Sequence, residues 1–307
     1  MAGGMRKRGP QRGTKKDLNR RRESKKGSNG CNDGRKIAAT LGIFAVLMIF
    51  LARMTNITRT NTPETFEAVL DLSATIVECD SSSYEPRVPG CSPSYCFRES
   101  VPNFATESEV ECLLQLAEEG ISIGGGGSGP VSVFDTASGA SSKGKEFISA
   151  FQVLKATGRS LNKTRTAVFQ SVVDRVGTYI RKKMGLTNLY PASPTFFSRI
   201  EGGVEPGQLN DQYWHKHVDT RQYGSFIYTT LLYLNTNHKH YKGGEFLFMD
   251  GSGTLLRPQA GMLLVFTSGE ENPHKISKVT EGTRYAVTIS WTCDERQANR
   301  RRFAAPR

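Results

Sequence analysis

Ile37 to Ala52 (IAATLGIFAVLMIFLA) is a run of sixteen uncharged residues bounded by Arg35, Lys36 and Arg53, and only Thr40 breaks its apolar character. At about 1.5 Å per residue such a helix reaches roughly 24 Å, workable in a thin bilayer when the flanking Lys and Arg snorkel. The pattern predicts a single transmembrane helix over 37–53. Beyond it the periodicity changes twice. Thr106 with Glu109 reads as a capping box, Val110, Leu113, Leu114 and Ala117 supply an apolar stripe, and Gly120 is expected to end that helix. A loop with four consecutive glycines, Gly124–Gly127, follows. A longer helix is predicted from Thr164 to Met184, where Val168, Val172, Val176 and Ile180 recur every fourth residue. After about residue 190 short strand patterns take over: 226–234, 245–249, 261–267 and 285–291, separated by Lys242-Gly243-Gly244, Asp250-Gly251, Arg257-Pro258 and Glu281-Gly282. These strands predict an antiparallel sandwich or barrel with helices packed outside it.

Charge is distributed unevenly along this plan. The formal net charge is +12, but residues 1–36 hold 13 Lys/Arg against Asp17, Glu23 and Asp33, a net of +10. The remainder carries 28 basic and 26 acidic residues, a net of +2, so a nucleic-acid-binding face on the folded part has no compositional support. Basic residues directly before an apolar span hold the N-terminus in the cytosol. The expectation is therefore a single-pass type II protein whose catalytic part is lumenal, in endoplasmic reticulum or Golgi. Its parts are a basic cytosolic tail (1–36), a signal anchor (37–53), a Ser/Pro/Gly-rich stalk (54–100), a folded domain (101–295) and a basic C-terminal tail (296–307). Five of six cysteines, Cys79, Cys91, Cys96, Cys112 and Cys293, fall after the anchor, where the compartment permits disulfides. Spacing leaves their pairing open. Two glycosylation sequons, at Asn56 and Asn162, face the same side.

The candidate chemistry rests on three histidines and one aspartate. In Tyr213-Trp214-His215-Lys216-His217-Val218-Asp219, a strand conformation puts His217 and Asp219 on one face, two residues apart. His274, in Asn272-Pro273-His274, stands 57 positions after His217. Two imidazoles and one carboxylate make a facial triad that leaves coordination positions open, which suits Fe(II) and dioxygen. His215 shares the face of His217 and competes as a ligand, but the carboxylate at 219 favours His217, leaving His215 and Tyr213 at the site's edge. His238 and His240 lie in a polar hairpin loop and are expected to be solvated.

With these residues the sequence resembles the Fe(II)- and 2-oxoglutarate-dependent dioxygenases, most closely the prolyl 4-hydroxylase-like branch and its membrane-bound members, from about Val101 to Thr292. The start Val101-Pro102-Asn103-Phe104, then Leu231-Leu232-Tyr233-Leu234-Asn235, Gly243-Gly244-Glu245 and Pro258-Gln259-Ala260-Gly261 carry the likeness. The resemblance implies an α+β fold, a double-stranded β-helix (jelly roll) core with flanking helices, preceded here by the transmembrane helix. It implies His217, Asp219 and His274 as iron ligands. Arg284, ten residues past His274, would pair with the far carboxylate of 2-oxoglutarate, with the Tyr233 phenol completing that clamp. It further implies Fe(II), 2-oxoglutarate and O2 as reactants, L-ascorbate as the agent that rescues oxidised iron, and succinate and CO2 as products. The expected substrate is a protein side chain, Pro or Lys. The rival expectation is a catalytically silent jelly-roll binding module. Two features depart from the branch. Its tyrosine before the His-x-Asp motif is replaced by Phe196 or Phe197 unless Tyr213 serves, and the segment from Gly202 to His217 is stretched. Collagen-type enzymes tend to carry Lys where Arg284 stands, so collagen is not carried over as substrate.

Overall fold

Tyr228–Tyr233 reads as an unbroken buried run because both of its faces are covered: Leu231 and Tyr233 pack in one apolar cluster, and Tyr228 and Leu232 in another. The computed structural model describes residues 67–299, and these belong to one compact unit. In chain order its strands are β1 (Glu67–Val69), β2 (Thr75–Val77), β3 (Cys96–Val101), β4 (Gly126–Gly127), β5 (Val131–Asp135), β6 (Ala140–Gly144), β7 (Glu146–Ser149) and β8 (Tyr190–Glu201), followed by β9 (Tyr228–Tyr233), β10 (Tyr241–Lys242), β11 (Phe246–Phe248), β12 (Thr254–Leu256), β13 (Leu263–Thr267), β14 (His274–Ile276) and β15 (Glu281–Thr292). The helices are α1 (Glu107–Gly124), α2 (Ala150–Ala156), α3 (Lys163–Met184) and the single turn α4 (Asp219–Gln222).

Two sheets result. The larger runs β2-β3-β13-β9-β15-β8-β5-β6-β4, with β10 added to β15 and β7 to β6; the smaller runs β1-β12-β11-β14. Side chains alternate across β9, β13 and β15, so each strand feeds two cores. Leu231, Tyr233, Leu264, Phe266 and Ala286 meet Phe246, Phe248 and Leu256 of the smaller sheet. Leu232, Val265, Val287 and Ile289 instead join Leu113, Leu116 and Ile121 of α1 and Phe169, Val172 and Val176 of α3. A sheet-rich fold with helices on one face is thus established by burial on both sides of the larger sheet.

Several expectations change. Gly120 does not end α1. The helix runs to Gly124 and Gly125, at φ 87°, caps it, while Thr106 and Glu109 form the expected capping box. Gly120 is glycine for a packing reason: a Cβ there would stand 2.0 Å from Phe134 Cδ1. The stalk expected over 54–100 is, from Glu67 onward, part of the sheets. β1 pairs with β12, and β3 pairs with β13 from Leu263↔Val101 to Phe266↔Arg98. Its strands are too short to show a period in sequence. Cys79–Cys96 and Cys91–Cys293 form disulfides, the second spanning 202 residues, and Cys112 is free. The expected domain end at 295 is passed as well, since Ala298 bridges Ala192 and the Asn299 N–H donates to the Pro191 carbonyl at 2.7 Å. The apolar run 37–53, Asn56, the basic tail 1–36 and residues 300–307 lie outside the described residues. Among the described residues no helix is long and apolar enough to cross a membrane.

Gly120→Ala gives a test whose sign is informative. In an exposed helix interior that change gains stability of about 1 kcal/mol. Here it is expected to cost about 1 to 3 kcal/mol by overpacking against Phe134. A denaturation midpoint equal to or above that of the parent would contradict the packing.

Candidate active site

His217 and His274 face each other as a hydrogen-bonded antiparallel pair. The His217 N–H donates to the His274 carbonyl at 2.9 Å and the His274 N–H to the His217 carbonyl at 3.0 Å. Directly opposed residues present their side chains on one face, and the imidazole centroids are 4.3 Å apart. Asp219 arrives differently from the sequence expectation. Val218 is extended (φ −130°, ψ 129°) but Asp219 already begins α4, so the His-x-Asp motif runs from an isolated β-bridge at His217 into a helical turn. The carboxylate still reaches the pair: Asp219 Oδ1 is 3.7 Å from His217 Nε2 and 3.8 Å from His274 Nε2.

Each ligand atom is fixed from behind. The His217 Nδ1 lies 3.1 Å from the His215 carbonyl, and the His274 Nδ1 lies 2.9 Å from the Asn272 carbonyl. A carbonyl only accepts, so both Nδ1 atoms carry the proton and both Nε2 lone pairs point at the carboxylate. Asp219 Oδ2 accepts from Thr229 Oγ1 at 2.6 Å, and Ser268 Oγ lies 2.8 Å from the same hydroxyl, which leaves Oδ1 to the imidazoles. His274 is wedged between Phe246, stacked at 4.8 Å, and Phe266, edge-on at 4.9 Å. Burial in that cage disfavours the imidazolium and pushes its pKa down to about 4, so the ring is neutral, as a ligand must be. Two atoms that each bond one cation at about 2.1 Å can stand up to about 4.2 Å apart. Both His–Asp distances satisfy this, and two nitrogens with one carboxylate oxygen make a donor set suited to Fe(II).

A second cluster reaches the cavity of the triad through Arg284. Arg284 is 1% exposed, its Nε donates to the Gly244 carbonyl at 3.1 Å, and its guanidinium lies 5.3 Å from the Tyr233 ring centre. One terminal guanidinium nitrogen of Arg284 and the hydroxyls of Tyr233 and Tyr241 are buried against one another, and none of these donors meets an acceptor outside the cluster. Burial raises both phenols, Tyr241 to about 12, so both stay protonated and able to donate. Three unmatched buried donors together cost free energy unless an acceptor joins them. A carboxylate has the right charge and enough lone pairs. Gly244, at φ 71°, permits the approach: a Cβ there would lie 2.8 Å from Arg284 Cδ.

The structure gathers His217, Asp219 and His274 into one group, sets Arg284 on the wall of the same cavity and packs Tyr233 against the Arg284 guanidinium. His215 contributes its backbone carbonyl; its exposed ring sits 2.8 Å from Gln212 Oε1. Tyr213 lines the cavity and its hydroxyl accepts from the Val279 N–H at 2.7 Å. Phe196 also lines the cavity, whereas Phe197 turns to the helix side and stacks on Phe134. His238 and His240 are exposed in their hairpin, away from the triad. Tyr241, Thr229 and Ser268 escape sequence reading, because a lone hydroxyl in a strand gives no signal until its neighbour is known. The cavity measures about 600 Å³.

Comparison with known proteins places His217, Asp219, His274 and Arg284 within a matched stretch of chain. Residues 207–292 match the family model of the 2OG-Fe(II) oxygenase superfamily. The mouse 2-oxoglutarate and iron-dependent oxygenase domain-containing protein 3 is 39% identical over 212 residues, 68% of this chain and 67% of that protein. Chicken prolyl 3-hydroxylase 2 is 41% identical over 71 residues, 22% of this chain and 10% of its own length. A solved prolyl hydroxylase from Trichoplax adhaerens aligns at 16% identity with a TM-score of 0.42, covering 67% of this chain and 87% of that one. The chain belongs to the 2OG-Fe(II) oxygenase superfamily. It is a 2-oxoglutarate-dependent dioxygenase, and the family implies Fe(II), 2-oxoglutarate and O2.

The buried imidazole carries a pH dependence. Its folded pKa of about 4 lies below the ordinary 6.5, so between these values the unfolded chain takes up a proton at His274 that the folded chain refuses. Stability of the metal-free protein is therefore expected to fall as pH drops from 6.5 towards 4, and urea unfolding at pH 7 and pH 4.5 measures it. His274→Gln, which cannot titrate, should show a smaller fall; an equal or larger one would contradict the assignment.

Proposed function

We propose that this protein is a membrane-tethered hydroxylase of protein side chains, Pro or Lys, with its described domain on the lumenal side. The observation that carries the enzymatic reading is the trio of unmatched donors, Arg284, Tyr233 and Tyr241, buried beside a two-imidazole, one-carboxylate triad. A binding module without chemistry has no use for both, which favours the hydroxylase over the silent alternative. The apolar run 37–53 with its preceding basic tail supports the tether, and the exposed Asn162 and two disulfides suit a lumenal compartment. The two facing sheets are read here as a double-stranded β-helix.

In this reading His217 and His274 offer Nε2 and Asp219 offers Oδ1 to Fe(II), leaving three positions for other ligands. Iron, when bound with its cosubstrates, supplies the oxidising chemistry: R–H, O2 and 2-oxoglutarate become R–OH, succinate and CO2. Arg284 anchors the far carboxylate of 2-oxoglutarate with two phenols as further donors. Ser268 and Thr229 hold Asp219 so that one oxygen stays turned to the metal. Phe246 and Phe266 keep water from the His274 ring. Ascorbate is expected to sustain turnover by re-reducing iron.

Full-length protein in detergent, given Fe(II), ascorbate and 2-oxoglutarate, should release succinate slowly without substrate and faster with it. His217→Ala, Asp219→Ala and His274→Ala are each expected to lower the rate on the order of 100-fold or more. Arg284→Gln should raise KM for 2-oxoglutarate about tenfold or more. Stoichiometric iron binding without any succinate release, with or without proteome-derived peptides, would favour the silent module.

A further inference from the structure

Leu209 and Tyr223 are large apolar side chains left in water, 75% and 41% exposed, and both line the cavity that contains the triad. One exposed apolar residue is ordinary. Two on the wall of a reaction cavity mark a place where an apolar partner displaces water.

Leu209 sits in the stretched segment from Gly202 to His217, and that segment is firmly tied. Asp211 is 3% exposed, and its Oδ2 accepts the N–H groups of Gly207 and Gln208, each at 2.9 Å. Gly129 makes room for this carboxylate, because a Cβ there would lie 2.2 Å from the same oxygen. At the far end the Tyr213 hydroxyl takes the Val279 N–H, and the Lys278 ammonium lies 4.1 Å from the Trp214 ring centre. Leu209 is thus presented to the cavity by a loop held at both ends. Tyr223 is held as well: its ring stacks on Phe226 at 4.8 Å and its N–H donates to the Asp219 carbonyl at 2.9 Å.

Charge narrows the occupant. Among the described residues lining the cavity Asp219 is the only carboxylate, and the triad uses it as the cosubstrate carboxylate uses Arg284; Lys216 is the ammonium left at the cavity. A cationic side chain entering this space would lose water and meet the Lys216 ammonium, and Asp135, the other carboxylate whose charge reaches Tyr223, is already engaged by the Ala137 and Ser138 N–H groups. Exclusion by an unpaired charge is as effective a source of selectivity as attraction.

We propose that Leu209, positioned by Asp211, and Tyr223 are the specificity-determining lips of the cavity. Their occupant is a polypeptide segment with an uncharged target side chain, apolar neighbours and no Lys or Arg beside it. The inference rests on the hydroxylase reading and decides between its two targets, since a lysine target brings an ammonium group into the cavity.

A random-peptide display library selected on full-length protein in detergent, held anaerobically with Mn(II) and 2-oxoglutarate, tests this. Peptides enriched by the parent protein should be apolar and depleted in Lys and Arg. Leu209→Glu alters an exposed position and places a carboxylate on the lip, so Lys and Arg should rise about fivefold among selected peptides. Asp211→Asn should speed amide hydrogen exchange over 202–214 and broaden the selected motif together; faster exchange with an unaltered motif would remove Asp211 from the proposal. Enrichment of Lys- or Arg-rich peptides by the parent, no enriched motif, or a motif indifferent to Leu209→Glu would overturn it. Succinate release by the parent protein separates the two readings. Release with a failed selection sinks the lips alone, and no release sinks the hydroxylase.

Discussion

Two backbone hydrogen bonds between His217 and His274 are the constraint on which the site depends. They join segments 57 residues apart, set both imidazoles on one face and leave their Nδ1 atoms over backbone carbonyls. The tautomer, the direction of the Nε2 lone pairs and the room for Asp219 Oδ1 follow from that pairing. Because the carbonyls that orient the rings come from residues 215 and 272, each imidazole is aimed by its own stretch of chain, and only Asp219 is held by side chains from elsewhere, Thr229 and, through it, Ser268.

The larger sheet makes this arrangement durable. Its outer face is sealed by α1 and α3, with Gly120 fitted against Phe134 and Gly177 against Trp291, so the inner face can hold polar groups without the core loosening. The buried donors of Arg284, Tyr233 and Tyr241 are the opposite of a well-satisfied core. A folded protein tolerates them when the rest of the scaffold is stable enough to bear the desolvation, and the free energy returns when an acceptor binds. The same strands therefore serve two ends, packing on one side and a waiting anion site on the other.

Much of the site is legible in sequence, because ligand chemistry is carried by rare residue types at fixed spacing. His217, Asp219 and His274 stand out for that reason, whereas Arg284 is singled out only by the resemblance, which implies a basic residue ten positions past His274. The spacing argument survives even though Asp219 proves to start a helical turn, since Val218 before it is extended and the Asp219 carboxylate still reaches both imidazoles. Tyr241 is illegible because its role exists only once Arg284 is buried beside it. Gly120 misleads because a glycine that admits a phenyl ring and a glycine that ends a helix look alike; the real cap, Gly125, lies inside the glycine run. Strands β1 and β2 are three residues long, too short for a period, and the Cys91–Cys293 bridge spans 202 residues with no local mark. The loop 202–214 is visible only as a departure in length, and its order comes from Asp211 and Gly129, residues that no spacing rule connects.

The most direct measurement of the central claim is an anaerobic crystal structure of the protein with Mn(II) and 2-oxoglutarate. The account predicts one metal bonded to His217 Nε2, His274 Nε2 and Asp219, and a cosubstrate carboxylate hydrogen-bonded to Arg284 and to the Tyr233 or Tyr241 hydroxyl. A metal held by other residues, or a carboxylate seated away from Arg284 with those donors still unmatched, would contradict it.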